Sequence, residues 1–291
     1  AGMMDCKKAL GQNAGDVEKS IDWLRSQGLS AASKKFGRVA AEGLVGVATQ
    51  GTKGTLLEVN AETDFVARNE EFQKFVESVT KISLEGEYTI EELKNAVYSD
   101  SEVTVGETLT SLITTIGENL ELRRHSIINV RKGIVSSYMH NTLRPGLGKI
   151  GVLVSLESDG EHKHLDILGK QLAMHIAAAN PQVLSPDDVI ATELEREKRI
   201  LTEQARETGK PEEIVAKMVE GRLRKYFEEI CLLEQTFVID GESKVREAVE
   251  IAAKKLATPI KIKGFMRFAL GEGIEKKKEN FSAEVAAAIH G

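Results

Sequence analysis

Aromatic side chains are scarce in these 291 residues, at 5%, and Trp23 is the single tryptophan. That argues against recognition of single-stranded nucleic acid, which uses aromatic stacking platforms. A basic excess is missing as well. The net charge is −6, and an acidic chain is a poor non-specific binder of phosphate backbones. The one dense basic run, Lys276-Lys277-Lys278, is flanked by Glu275 and Glu279 and reads as a solvated helix face, so no direct nucleic-acid partner is expected. There are two cysteines, Cys6 and Cys231. Their spacing leaves a disulfide open; their scarcity favours reduced thiols in a cytosolic protein. No apolar run reaches the ~18 residues of a membrane span, and no secretory signal is visible, so no membrane partner is expected.

Catalytic signatures are absent too: the chain has no G-x-S-x-G, no H-E-x-x-H and no dinucleotide fingerprint. His162-x-His164 lacks a third ligand at a useful spacing and adjoins the polar turn Ser158-Asp159-Gly160-Glu161, which reads as a solvated pair rather than a zinc site. His175 falls on the apolar side of a helical pattern and reads as a packed core residue. Lys7 and Lys8 adjoin Cys6, but nothing around it makes it a nucleophile. The expectation is a chain with no metal, no cofactor and no enzymatic activity.

What is present is an ordinary soluble composition, 41% hydrophobic and 29% charged, in a length that fits one to three domains. Residues 1–38 read as short helices and a linker. Met4 to Leu10 gives one helix and Asp16 caps a second. Val17, Ile21 and Leu24 form the second helix's stripe, which ends near Gly28, and Ser30 to Lys35 is the linker. From Glu42 the period shortens to two. Leu44–Thr49 and Thr55–Val59 flank Gln50-Gly51-Thr52-Lys53-Gly54 as an antiparallel hairpin. The glycines lack phosphate-loop spacing and lead into a strand, so they read as a turn. Phe72, Phe75, Val76 and Val79 make a helical core stripe, Thr108–Ile116 is helical and Leu120–Val130 extended. The same order returns in Gly151–Leu156, Leu165 to Ile176, Val245–Leu256 and Ile260–Phe268, a weak internal duplication. Between them lies an insertion, about 185–234. A helix starting at Ser185-Pro186 carries Ile190, Leu194, Leu201 and Ala205. After the break Thr208-Gly209-Lys210-Pro211, a return helix carries Val215, Val219, Leu223, Tyr226 and Ile230. These narrow seams describe an antiparallel helical hairpin, whose exposed side suits a partner.

The segment Thr63-Asp64-Phe65-Val66-Ala67-Arg68-Asn69 sits between a strand pattern and a helix pattern. Read alone, Phe65 suits a core position and Asp64 an N-cap. The stretch T-D-F-V-A-R-N-E-x-F, however, resembles the signature of the elongation factor Ts family. Further matches follow in family order: Gly2 to Leu10, Ile116-Gly117-Glu118-Asn119 with Arg123-Arg124, Lys217 to Arg222, and Gly271-Glu272-Gly273-Ile274-Glu275. Together they span nearly the whole chain.

That resemblance implies an α+β fold: a small helical, ubiquitin-associated-like domain with its linker at 1–38, two related sheet-plus-helix subdomains at 39–133 and at 134–184 with 235–270, the coiled-coil hairpin at 185–234, and a C-terminal module at 271–291 docking through Phe281, Val285 and Ile289. The family has a short helix before Gly2, so the expectation is that residues precede Ala1. The implied function is guanine-nucleotide exchange on elongation factor Tu, in its GDP and nucleotide-free forms. Thr63, Asp64, Phe65 and Val66 would wedge near the partner's Mg²⁺ site and displace the ion. Met4, Lys7 and His140 would be further contacts, with Met4 a core residue in the alternative reading. After His140 the loop is longer than the family's H-x-x-G-R-I-G, and Lys149 stands where Arg is usual. The location implied is cytoplasmic, with an organelle matrix left open. The rival reading is a scaffold that binds a helical partner, or a second copy, through the hairpin.

Overall fold

The computed structural model describes residues 3–99 and 102–275. Lys276–Lys278, Phe281, Val285 and Ile289 lie outside the described residues. The chain is α+β. Two helices, α1 (Met3–Gln12) and α2 (Val17–Ser33), precede the hairpin β1 (Glu42–Gln50) and β2 (Lys53–Ala61). A 3-10 turn at Val66–Arg68 leads into α3 (Glu70–Glu85), α4 (Ile90–Asn95), α5 (Val105–Ile116) and β3 (Leu120–Asn129). Then come β4 (Gly133–His140), β5 (Leu147–Gly148), β6 (Ile150–Ser158) and α6 (His162–Ala179). The helices α7 (Ala191–Arg206) and α8 (Glu212–Ile230) form the hairpin, and α9 (Val245–Leu256) and β7 (Ile260–Ala269) close the order.

Two antiparallel sheets, β3-β2-β1-β5 and β4-β6-β7, stack face to face. Alternation along each strand sends side chains to two different cores. Leu57 and Val59 join Phe72, Phe75, Val79 and Leu109 beneath α3 and α5. Val152, Val154 and Leu156 do the same beneath α6 and α9. Val45, Leu56, Val135 and Leu153 fill the seam between the sheets. Each fully buried side chain of this size contributes about 1.5–3 kcal/mol before the entropy of ordering it is counted.

The halves match at several marked positions. Gly43 and Gly133, both at φ 120°, open β1 and β4 where a side chain would strike a backbone carbonyl of the neighbouring strand. The register slips between Glu58 and Val59 on β2, and between Ser155 and Leu156 on β6. Glu107 accepts the Thr104 N–H at the start of α5, and Glu247 accepts the Lys244 N–H at the start of α9, both at 2.9 Å. Gly117 and Ala257 end those helices in the left-handed region. Across the seam the fit is reciprocal. A Cβ on Gly54 would fall 2.6 Å from Val135, and one on Gly151 would fall 2.9 Å from Val45.

Three expectations need correction. α2 does not stop near Gly28 but runs through Ser33, so Ser30–Ser33 is helix, not linker. Gly28 is retained inside it because a Cβ there would already sit 3.3 Å from Thr114 Oγ1 on α5. Val17 and Ile21 are exposed rather than core. Ser185-Pro186 opens only a 3-10 turn, closed by Asp188, and the long helix starts at Ala191. His175 is buried as expected. Its Nδ1 accepts the Val238 N–H and its Nε2–H donates to Gln235. Burial holds it below the ordinary histidine range against the upward pull of Gln235. Cys6 and Cys231 form no disulfide with one another, and burial pushes Cys231 up to about 11.

One buried carboxylate ties the sheets together. Glu58, on β2, is fully buried. It takes Arg123 at 2.8 Å, Arg124 at 2.6 Å and the Gly271 N–H at 2.8 Å. Arg124 continues to the Ala269 carbonyl at 3.1 Å and lies 4.2 Å over the Phe268 ring. Burial raises the Glu58 pKa, but the Gly271 amide and the two guanidinium groups outweigh it and hold the carboxyl below its usual range. A depressed carboxylate stabilises the fold fully above its unfolded value, about 4.3, and that contribution is lost as pH falls through the lower folded value. Glu58→Ala should therefore cost about 1–3 kcal/mol at neutral pH, because two half-buried guanidinium groups and the Gly271 N–H lose their acceptor. Urea denaturation should show that gap to the parent narrowing as pH falls below about 4.3.

Candidate partner-binding corner

Between β2 and α3 the chain turns outward and back. Phe65 is 75% exposed and Asp64 beside it is exposed. The backbone beneath them is fixed. The Phe65 carbonyl accepts Arg68 N–H, the Val66 carbonyl accepts Asn69 N–H, and Gln73 Nε2 donates to Ala67 O at 2.7 Å. The N-cap of α3 is Asn69, whose side chain accepts the Phe72 N–H at 3.0 Å. Asp64 is therefore released from capping and Phe65 from the core, so the local readings of both residues are overturned. Val66 also differs from its motif role. At 4% exposure it is a peg in the core under α3, and it holds the corner rather than presenting itself to a partner.

The corner is held from across the sequence by Glu118 and Asn119, just after α5. Glu118 accepts both the Thr63 N–H at 2.9 Å and its hydroxyl at 2.7 Å. Asn119 N–H donates to Glu62 at 2.6 Å, and Glu62 pairs with Arg38 at 3.5 Å. The Gly117-Glu118-Asn119 block carries part of the family resemblance, but no spacing rule shows what it grips. Gly117, at φ 89°, turns the chain so that the Glu118 side chain and the Asn119 N–H face the corner.

The other expected contacts lie on separate elements. Met4 is 74% exposed on α1, which overturns its core reading, and Lys7 is exposed on the same helix. His140 is exposed at the end of β4, with its Nδ1 3.2 Å from the Tyr138 hydroxyl. The longer loop after it pairs β5 with β1 and brings Arg144 to 4.0 Å from Glu70 at the start of α3. His164 pairs with Glu161 at 3.1 Å. Among the described residues no three metal-ligating side chains cluster, and no helix is long and apolar enough to cross a membrane.

The sequence profile described as Elongation factor TS matches residues 62–272, from the corner to the Gly271-Glu272 turn. Curated relatives are similar over almost their whole length. An elongation factor Ts of Rhodospirillum centenum is 58% identical over 287 residues, covering 99% of this chain and 94% of its own. One from Rhodospirillum rubrum is 57% identical, covering 99% and 94%, and one from Rhizobium johnstonii is 50% identical, covering 100% and 94%. The chain is thus a translation elongation factor. It belongs to the elongation factor Ts family.

Removing the Glu118 carboxylate leaves two Thr63 donors without their acceptor. Glu118→Ala should speed amide hydrogen exchange at Thr63 and lower stability by about 1–2 kcal/mol. Glu118→Gln keeps one acceptor oxygen and should fall between the variant and the parent in both measurements.

Proposed function

We propose that this chain is a guanine-nucleotide exchange factor for elongation factor Tu and acts without making or breaking a covalent bond. The observation that carries the reading is the exposed Asp64-Phe65 pair on a pinned corner. A large ring held in water by a fixed backbone is a preformed anchor, because little entropy is lost when it docks.

A GTPase holds GDP through a phosphate loop and a Mg²⁺ ion that bridges phosphate oxygens. Each tenfold weakening of that hold needs ~1.4 kcal/mol. The factor supplies it by binding the empty partner more tightly than the GDP form, and the coupling runs equally in reverse. Phe65 would enter an apolar gap near the ion. Asp64 would compete for the polar groups around the ion's water shell. Met4, Lys7 and His140 would extend the contact. The bacterial relatives support a cytoplasmic site of action.

A second reading draws on the hairpin, where Ile190 and Ile214 are 60% and 45% exposed. Such a surface suits a scaffold for a helical partner or a second copy. Linkage separates the two readings, since an exchange factor discriminates between nucleotide states and a scaffold does not. Calorimetry across a GDP and Mg²⁺ titration should show affinity falling as GDP rises, and EDTA should favour the complex. An affinity indifferent to GDP would leave the scaffold. Phe65→Ala should slow GDP release roughly thirtyfold if the ring is worth about 2 kcal/mol. The exposed ring can be removed with the melting temperature unchanged.

A further inference from the structure

Among the described residues, three large apolar side chains are the most exposed: Phe36 at 86%, Phe65 at 75% and Met4 at 74%. The latter two are the contacts already assigned to the partner. The first has no assignment, although an exposed phenyl ring forgoes the free energy of burial.

Its loop is not slack. Phe36 N–H donates to Ala32 O, and Arg38 N–H to Lys35 O, both at 3.1 Å. Lys35 Nζ ties the loop to the Ile113 carbonyl at 3.2 Å. Gly37, at φ 91°, makes the turn. Asn119 Nδ2 donates to the Arg38 carbonyl at 2.8 Å, and the Arg38 side chain reaches Glu62. One two-residue strut thus serves both rings. Glu118 holds Thr63, two residues before Phe65, and Asn119 holds Arg38, two residues after Phe36.

We infer that Phe36 is a second aromatic anchor for the same partner, entering an apolar recess beside the one that takes Phe65. This rests on the reading of Phe65 as a partner contact. The loop that carries Phe36 and the corner that carries Phe65 are joined through the Arg38–Glu62 pair and the Glu118-Asn119 strut, which makes one docking surface of both. Lys34 is exposed two residues before the ring, so the recess that accepts it carries an acidic group on that side. Phe36 lies outside the acid–aromatic pair that meets the ion, so it adds binding shared by the ground state and the exchange intermediate.

The test uses the full chain with Phe36→Ala, Phe65→Ala and Phe36→Tyr. Affinity for nucleotide-free elongation factor Tu is measured by calorimetry, and GDP release at saturating factor by loss of labelled nucleotide. Phe36→Ala should weaken binding about tenfold or more, leave release at saturation near the parent and leave Tm unchanged. Phe36→Tyr should keep most of the affinity. Parental affinity for Phe36→Ala alongside a defective Phe65→Ala overturns the second anchor and spares the first. Parental behaviour of both variants removes both. A Tm fall of several degrees makes Phe36 structural and overturns the inference. Loss of self-association in sedimentation, with partner affinity intact, gives the ring to a contact between copies and overturns it as well.

Discussion

The architecture depends on one buried anion. Glu58 receives both arginines of β3 and the Gly271 amide of the turn after β7. Its two oxygens close a circuit from one sheet to the other. Gly271, the amide donor in that circuit, sits at φ 71°, and a Cβ there would collide with the Ala41 carbonyl. A charge in this position is costly to bury and costlier to leave unpaired. The last strand is therefore drawn onto the first sheet by electrostatic need as much as by apolar contact.

Stiffness at that centre matters at the edge. An exchange factor spends binding free energy on distorting its partner, and a corner that yields wastes it. The corner at Asp64-Phe65 is backed by the Val66 peg, the Asn69 cap and the Glu118 carboxylate. Those supports rest on α3 and α5, which rest on the sheet that Glu58 anchors.

Much of this was legible from residue order because periodicity and punctuation are local signals. The β1–β2 hairpin follows from alternation around Gly51, and α9 runs from Val245 to Leu256 as its stripe requires. Failures came where a distant contact overrode a local cue. Gly28 reads as a stop, yet packing against Thr114 keeps it inside a helix. Ser185-Pro186 has the chemistry of a helix start and delivers a single turn. Asp64 has the chemistry of a cap, but Asn69, nearer the helix, takes that place. The corner was legible as a family signature. The carboxylate that holds it was not, since Thr63 and Glu118 are 55 positions apart and no spacing rule connects them.

The two halves differ at the joint between central strand and first helix. Ala61 and Glu70 are separated by eight residues, whereas Ser158 and His162 are separated by three. Asp64 and Phe65, the pair proposed to reach the ion, lie in that surplus. The second half is thus an internal blueprint of the first without its working part. It shows that a tight connection satisfies the same strand, bulge and helix. The corner is an addition to that plan, stitched into the frame by Val66 and Thr63 while its outermost pair, Asp64 and Phe65, carries no load of the fold.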